Sequence, residues 1–271
     1  MSNVNWSETT LVVTGATRGI GRAVVEEASR RGAAVGAIAR SMPQLEELRD
    51  GLGSGARVEV AGADVAQRRQ LAEAIDRLVD RLGPVDVLVN NAGVGLYGPV
   101  LGLDPDQAER LMRTNYLGVL NATLAVLPAM ARRGRGHLVN VASIAGRLGA
   151  PFEAAYSASK FAVVGFSEAL AVEASAFGVR VSTVDPGPVA TSFFEARGHP
   201  YQRRRPRPVT AEQVARAILE VVERGQWQRT VPASLRFAEV VRHLVPRLYL
   251  VGTRLAFRRE LGELRARTRE A

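Results

Sequence analysis

Residues 10–21 read Thr-Leu-Val-Val-Thr-Gly-Ala-Thr-Arg-Gly-Ile-Gly. An uncharged, mostly apolar run meets three glycines, and apolar residues at helical spacing follow (Ile20, Ala23, Val24, Ala28). That order predicts a strand at Thr10–Thr14, a tight glycine turn, and a helix from Gly19 to Arg31. The alternation continues outward. Strands are expected at Ala33–Ala39, Arg57–Ala61, Val85–Asn90, His137–Ala142 and Val179–Val184. Helices are expected at Pro43–Leu52, Gln67–Leu82 and Ala154–Ala176, with a long helical region over Pro105–Arg132. The strands are apolar on both faces, which calls for helices above and below a parallel sheet.

Beyond Pro186 the pattern changes. Residues 192–208 lack periodicity and read as a substrate loop or lid. A helix at Ala211–Arg224 and a strand at Arg229–Val231 complete the domain, and Leu235–Glu270 alternates apolar and arginine residues around Pro246. The expected organisation is a catalytic core at 1–190, a loop and completion of the same domain at 191–234, and a basic amphipathic extension at 235–271.

Composition narrows the chemistry. The chain has 271 residues, 46% hydrophobic and 23% charged, which suits one globular α/β domain. It has no cysteine, so thiolate catalysis and disulfides are excluded. His137, His199 and His243 lie far apart without metal-ligand spacing, and no metal is expected. The N-terminus carries no basic and apolar leader pattern, and no uncharged apolar stretch is long enough to span a bilayer; a cytoplasmic location is expected. Residues 1–200 are charge-balanced, with 20 basic and 20 acidic side chains, so residues 201–271 carry the whole net charge of +9. Arg203, Arg204, Arg205 and Arg207 form its densest run. No recognition module accompanies this charge, so a nucleic-acid partner is not expected. Of 36 basic residues only Lys160 is lysine. One position has kept a compact, tunable ammonium where the chain elsewhere uses planar guanidinium.

The glycine turn suits a dinucleotide: glycines let the backbone approach a pyrophosphate, which the helix N-terminus favours. Its place in the first strand–helix unit makes the domain a Rossmann-type fold. Sheets that bind NAD place Asp or Glu at the end of the second strand, on the ribose 2′-hydroxyl. Here Ala39 leads to Arg40, and Arg18 sits in the glycine turn. Two guanidinium groups suit a 2′-phosphate, so NADP(H) is expected over NAD(H). Tyr156 and Lys160 stand four apart, on one helical face. An ammonium beside a phenol stabilises the phenolate, so the Tyr156 pKa is expected below its ordinary value near 10. Ser143 follows the fifth strand, at the sheet edge where such folds bind ligands.

Together these stretches resemble the short-chain dehydrogenase/reductase family over roughly residues 8–190. The matches are Thr14–Gly21, Asp64-Val65, Asn90–Gly93, Asn115, Ser143, Tyr156–Lys160 and Pro186–Thr191. The resemblance implies that Tyr156 is the acid/base at the carbonyl oxygen and that Ser143 hydrogen-bonds that oxygen. It implies that Lys160 binds the nicotinamide ribose and lowers the tyrosine pKa, while Asn115 holds a water linking Lys160 to solvent. Gly15, Thr17, Arg18, Gly19, Ile20, Gly21 and Arg40 would cradle the phosphates and Asp64 and Val65 the adenine. Asn91, Ala92 and Gly93 would line the adenine-ribose side, and Pro186, Gly187, Val189 and Thr191 the carboxamide. Substrate contacts are expected from Ser143, Ala145, Leu148, Phe152, Tyr156, Phe193 and Phe194, with Tyr201 in the same loop.

That apolar lining points to NADP(H)-dependent interconversion of a hydrophobic secondary alcohol and ketone, lipid- or steroid-like. One alternative is a 3-oxoacyl-[acyl-carrier-protein] reductase, its basic tail attracting an acidic carrier. Another is a non-catalytic NADP(H)-binding sensor, against which the intact Tyr156 and Lys160 count. The resemblance also implies a homodimer or homotetramer built on helices near 105–132 and 154–176. The C-terminal segment is a candidate for peripheral membrane contact, with closure of the pocket or a contact to another subunit as the competing readings.

Overall fold

The structure, a computed structural model, describes residues 4–202 and 206–270. Arg203, Arg204 and Arg205, central to the basic run noted above, lie outside the described residues. Among the described residues seven strands form one all-parallel sheet: β1 (Thr10–Thr14), β2 (Ala34–Ala39), β3 (Val58–Gly62), β4 (Val87–Asn90), β5 (Gly136–Val141), β6 (Val179–Pro186) and β7 (Gln228–Val231). Their order is β3-β2-β1-β4-β5-β6-β7. β1 pairs β2 on one side, with Val12 beside Gly36, and β4 on the other, with Val12 beside Leu88. The direction of winding reverses there, and the crevice beyond those strand ends is where such sheets bind ligands.

Alternation along the strands separates two cores. Leu11, Val13, Val35 and Val89 face a layer made of α1 (Gly19–Arg30), α2 (Met42–Gly51) and α8 (Ala211–Arg224). Val12, Ile38, Leu88 and Leu138 face α3 (Arg68–Leu82), α5 (Gly118–Arg133) and α6 (Ala154–Ser175). This is the doubly wound Rossmann-type architecture expected from the two-sided apolarity of the strands. α8 begins where the sequence places it because Thr210 and Gln213 form a reciprocal capping box.

Three segments show more detail than the sequence reading gave. The long helical region is α4 (Pro105–Met112), a π turn at Arg113–Leu117, and then α5. The stretch 192–208 holds a short helix, α7 (Phe193–Ala196), and Val189 bridges Val209. The C-terminal segment is α9 (Arg236–Leu244), α10 (Pro246–Ala256) and α11 (Arg258–Glu270), broken at Val245, which leaves the helical region (φ −137°, ψ 67°) ahead of Pro246.

Candidate active site

At the C-terminal ends of the strands lies a cavity of about 1190 Å³. Its floor is the turn between β1 and α1. Gly15 has φ +69°, and a Cβ there would stand 2.7 Å from Ala92 Cα. A Cβ on Gly21 would collide with the Gly15 carbonyl oxygen and approach the Asn91 amide to 2.5 Å. Only glycine permits this close approach. Asn91 braces the turn from β4, its Nδ2 donating to the carbonyls of Thr14 and Gly15, while Thr14 Oγ1 accepts from the backbone of Asn91 and Ala92. Arg18 is the N-cap of α1 and makes no side-chain cap, so the first-turn N–H groups are free to meet an anion. A backbone cradle at a helix N-terminus fits a pyrophosphate.

Gly15, Thr17, Arg18, Gly19, Ile20, Arg40, Asp64, Val65, Asn91, Ala92, Gly93, Pro186, Gly187, Val189 and Thr191 all line this cavity. Gly21 does not; it lies behind the wall, where its lack of a side chain sets the tightness of the turn. Ser41 and Gln44, which sequence reading passed over, line the cavity beside Arg40. Ser41 is the N-cap of α2 yet makes no side-chain cap, which leaves its hydroxyl uncommitted there. A serine after the second strand, ahead of Pro43 in the first helical turn, was the available signal.

Three titratable or hydroxyl side chains gather at the other end. Tyr156, Ser143 and Lys160 are all buried and all line the cavity. The phenol is hydrogen-bonded to Ser143, and Ser143 Oγ in turn accepts from Ala145 N at 3.1 Å. Lys160 Nζ donates to Val141 O at 2.9 Å and lies 5.9 Å from the Tyr156 ring centroid. Burial pushes the Lys160 ammonium down to about 8, with Asp185 opposing. The expected depression of the Tyr156 pKa does not hold. Burial pushes the phenol well above its ordinary range, Ser143 and Arg197 pull it back, and Glu153 adds to the rise. The ammonium is turned to the β5 carbonyl, so desolvation of the phenolate prevails.

Asn115 is brought close but does not line the cavity. It lies fully buried in the π turn, accepting from Val94 N at 2.8 Å and donating to Val94 O and Ser159 Oγ. Its side chain therefore locks the loop after β4 against α6. A Cβ on Gly93 would meet Asn115 Oδ1 at 3.3 Å and Lys160 Nζ at 3.6 Å, so the three positions are in contact range.

Ala145, Leu148, Phe193, Phe194 and Tyr201 line the same cavity. Phe152 does not. Its φ of +64° turns it into a smaller cavity with Tyr97, where its ring is stacked 5.9 Å from Tyr97 and 6.1 Å from Phe257. Arg197 takes an unforeseen place. Its side chain is 4% exposed, pairs with Glu153 at 2.8 Å, and lies over the rings of Tyr97 and Phe194. It comes from an aperiodic stretch, where nothing in the sequence sets its direction. α9 and α10 close the far wall with Phe237, Val241, Leu248, Tyr249 and Ala256. Arg242 ties them down by donating to Arg147 O at 2.6 Å, and Tyr249 Oη donates to Gly149 O at 3.1 Å.

A glycine-rich helix N-terminus and a buried Ser–Tyr–Lys set thus share one cavity, and comparison with known proteins places the chain in a family. A family model described as short chain dehydrogenase matches residues 9–202. A 3-ketodihydrosphingosine reductase of Bacteroides thetaiotaomicron is 35% identical over 187 residues, covering 69% of this chain and 66% of that one. A short chain dehydrogenase/reductase from Burkholderia phymatum, solved in complex with NAD, superposes with a TM-score of 0.83 at 26% identity, covering 90% of this chain and 96% of that one. Another from Burkholderia cenocepacia, in complex with NADP, gives a TM-score of 0.80 at 30% identity, covering 92% and 99%. The chain spans less than two thirds of the length of several curated relatives it matches. It belongs to the short-chain dehydrogenase/reductase family of oxidoreductases.

Proposed function

We propose that the chain interconverts a hydrophobic secondary alcohol and its ketone with NADP(H), Tyr156 moving the proton. The observation that carries this reading is the convergence of Tyr156, Ser143 and Lys160 on a cavity whose far end is aromatic and aliphatic. The nicotinamide, when bound, accepts or supplies the hydride. Tyr156 Oη donates a proton to the carbonyl oxygen during reduction and takes the hydroxyl proton during oxidation. Ser143 Oγ hydrogen-bonds the same oxygen and steadies its developing charge. Lys160, Val189 and Thr191 hold and orient the nicotinamide end, Asp64 and Val65 the adenine end. Asn115 fixes the loop that carries Gly93 beside Lys160.

Arg18, Arg40 and the uncommitted Ser41 hydroxyl support a 2′-phosphate, because no carboxylate accompanies them at the end of β2. The apolar wall supports a lipid-like substrate, in keeping with a relative named for a sphingoid ketone. α6 exposes a stripe of Ala158, Gly165, Ala169 and Val172, and Leu117 and Leu124 stand exposed along the π turn and α5. Such stripes support a homo-oligomer packed through these helices. On this reading residues 1–190 form the catalytic core, 191–234 the lid and the end of the sheet, and 235–271 an extension.

The test is a panel of long-chain and cyclic ketones plus an acetoacetyl thioester, followed with NADPH and NADH. Tyr156→Phe should lower kcat/KM by about 10²- to 10⁴-fold with unchanged NADPH binding. Full turnover by that variant overturns the mechanism, and preference of the unmutated chain for NADH overturns the cofactor reading.

A further inference from the structure

α9 and α10 show two apolar faces. Inward, Phe237, Val241, Leu248 and Ala256 line the cavity. Outward, Leu244 is 76% exposed and Leu255 67%, with Val240, Val245, Leu250 and Val251 also exposed. Neither helix contains a buried residue. Phe237 and Leu248 belong to both faces: each lines the cavity and each stands exposed, so apolar surface runs unbroken from outside to within. Arginines flank it. Arg236, Arg247, Arg254 and Arg258 are exposed and make no ion pair among the described residues.

We propose that α9 and α10 dock flat on an anionic phospholipid surface, and that the apolar substrate passes from the bilayer past Phe237 and Leu248 to Tyr156. The inference rests on the function proposed above for its second half only. Charge selects the occupant. Residues 201–271 carry the whole net charge of +9, so a second copy laid on this face would set arginine against arginine, whereas lipid phosphates complement it. Length selects the mode. The helices have 9 and 11 residues, and no helix among the described residues is long and apolar enough to cross a membrane. A basic amphipathic pair of that size lies in the interface. Arg247, Arg254 and Arg258 stand next to Leu248, Leu255 and Phe257 respectively, at the boundary between apolar stripe and water, where a guanidinium meets headgroups while its stem stays in contact with the acyl region.

The experiment is co-sedimentation of the full chain, with NADPH, on vesicles of phosphatidylcholine alone and of phosphatidylcholine mixed with phosphatidylglycerol. Two variants are compared: Leu244→Glu/Val251→Glu/Leu255→Glu, none of which lines the cavity, and Arg247→Glu/Arg254→Glu. Circular dichroism checks folding, and turnover of a small water-soluble ketone reports the catalytic centre separately. The unmutated chain should sediment with the anionic vesicles, at least tenfold less with the neutral ones, and each variant at least tenfold less with the anionic ones at unchanged turnover of the soluble ketone. Loss of binding by one folded variant is sufficient support if the other fails to fold. Failure of the unmutated chain to bind anionic vesicles overturns the proposal. So does equal binding by folded variants, or light scattering in which the triple variant dissociates a dimer that never bound vesicles. If vesicles bind as expected and no ketone turns over, docking stands and the chemistry proposed above falls.

Discussion

The turn between β1 and α1 and the helix pair α9–α10 face each other across one cavity, yet they are built in opposite ways. In the turn, backbone meets backbone: Gly21 against the Gly15 carbonyl, Gly15 against Ala92, and Asn91 bonded to both sides. In the helix pair no residue is buried, and a few side chains, Arg242, Tyr249 and Phe257 among them, hold it to the body. The part that must recognise one invariant ligand is fixed by main chain. The helix pair, which on the proposed reading meets the substrate, is attached by contacts that can be exchanged singly.

That contrast can be broken at three points. The largest expected effect lies in the body. His137 is buried between β5 and β6, its Nε2 2.7 Å from Ser182 Oγ, and burial pushes it down to about 4. Between that value and the ordinary 6.5 the unfolded chain binds more protons than the folded one. Stability is therefore full above pH 6.5 and falls as pH drops toward 4, by about 3 kcal/mol. Chemical denaturation across that range should show the slope, and His137→Gln should flatten it. A flat profile in the unmutated chain would mean the body is looser than its packing indicates.

The second effect lies in the turn. Gly21→Ala puts a methyl group into the Gly15 carbonyl, and overpacking of this kind costs about 1–3 kcal/mol. Expressed as cofactor affinity, that is roughly a 5- to 150-fold weaker Kd by fluorescence titration. Unaltered affinity would show that the turn yields as readily as the helix pair. The smallest effect belongs to the pair itself. Arg242→Ala removes the bond to Arg147 O and the stacking on Phe161, together worth about 1 kcal/mol. Hydrogen exchange should quicken in 236–257 and stay unchanged in β4–β6, with KM for an apolar ketone altered more than kcat. A global fall in protection would join the two regions into one unit.

Legibility in the sequence follows the same division. β1 and α8 begin and end where the residues say, because glycine turns and a capping box are local signals that tertiary packing reinforces. The members of the glycine, Asn-Asn-Ala-Gly and Tyr–Lys motifs sit where their spacing implies, since each is tied to a strand end. The π turn at Arg113–Leu117 was hidden because a single wide turn has no residue signature of its own and helix flanks it on both sides. Phe152 was misplaced because positive φ is rare outside glycine and nothing local announces it. Arg197 and the Tyr156 pKa escaped for another reason: both depend on which groups are desolvated together, a property of the assembled cavity rather than of any segment.

The solitary lysine has a practical side. Lys160 is buried, opens onto the cavity, and titrates near 8, so at mildly alkaline pH much of it is a neutral amine. Apart from the amino terminus, no other primary amine exists in the chain. The protein thus carries a built-in occupancy gauge: the rate at which a small amine-selective reagent adds one mass increment at position 160 measures how much of the cavity is vacant.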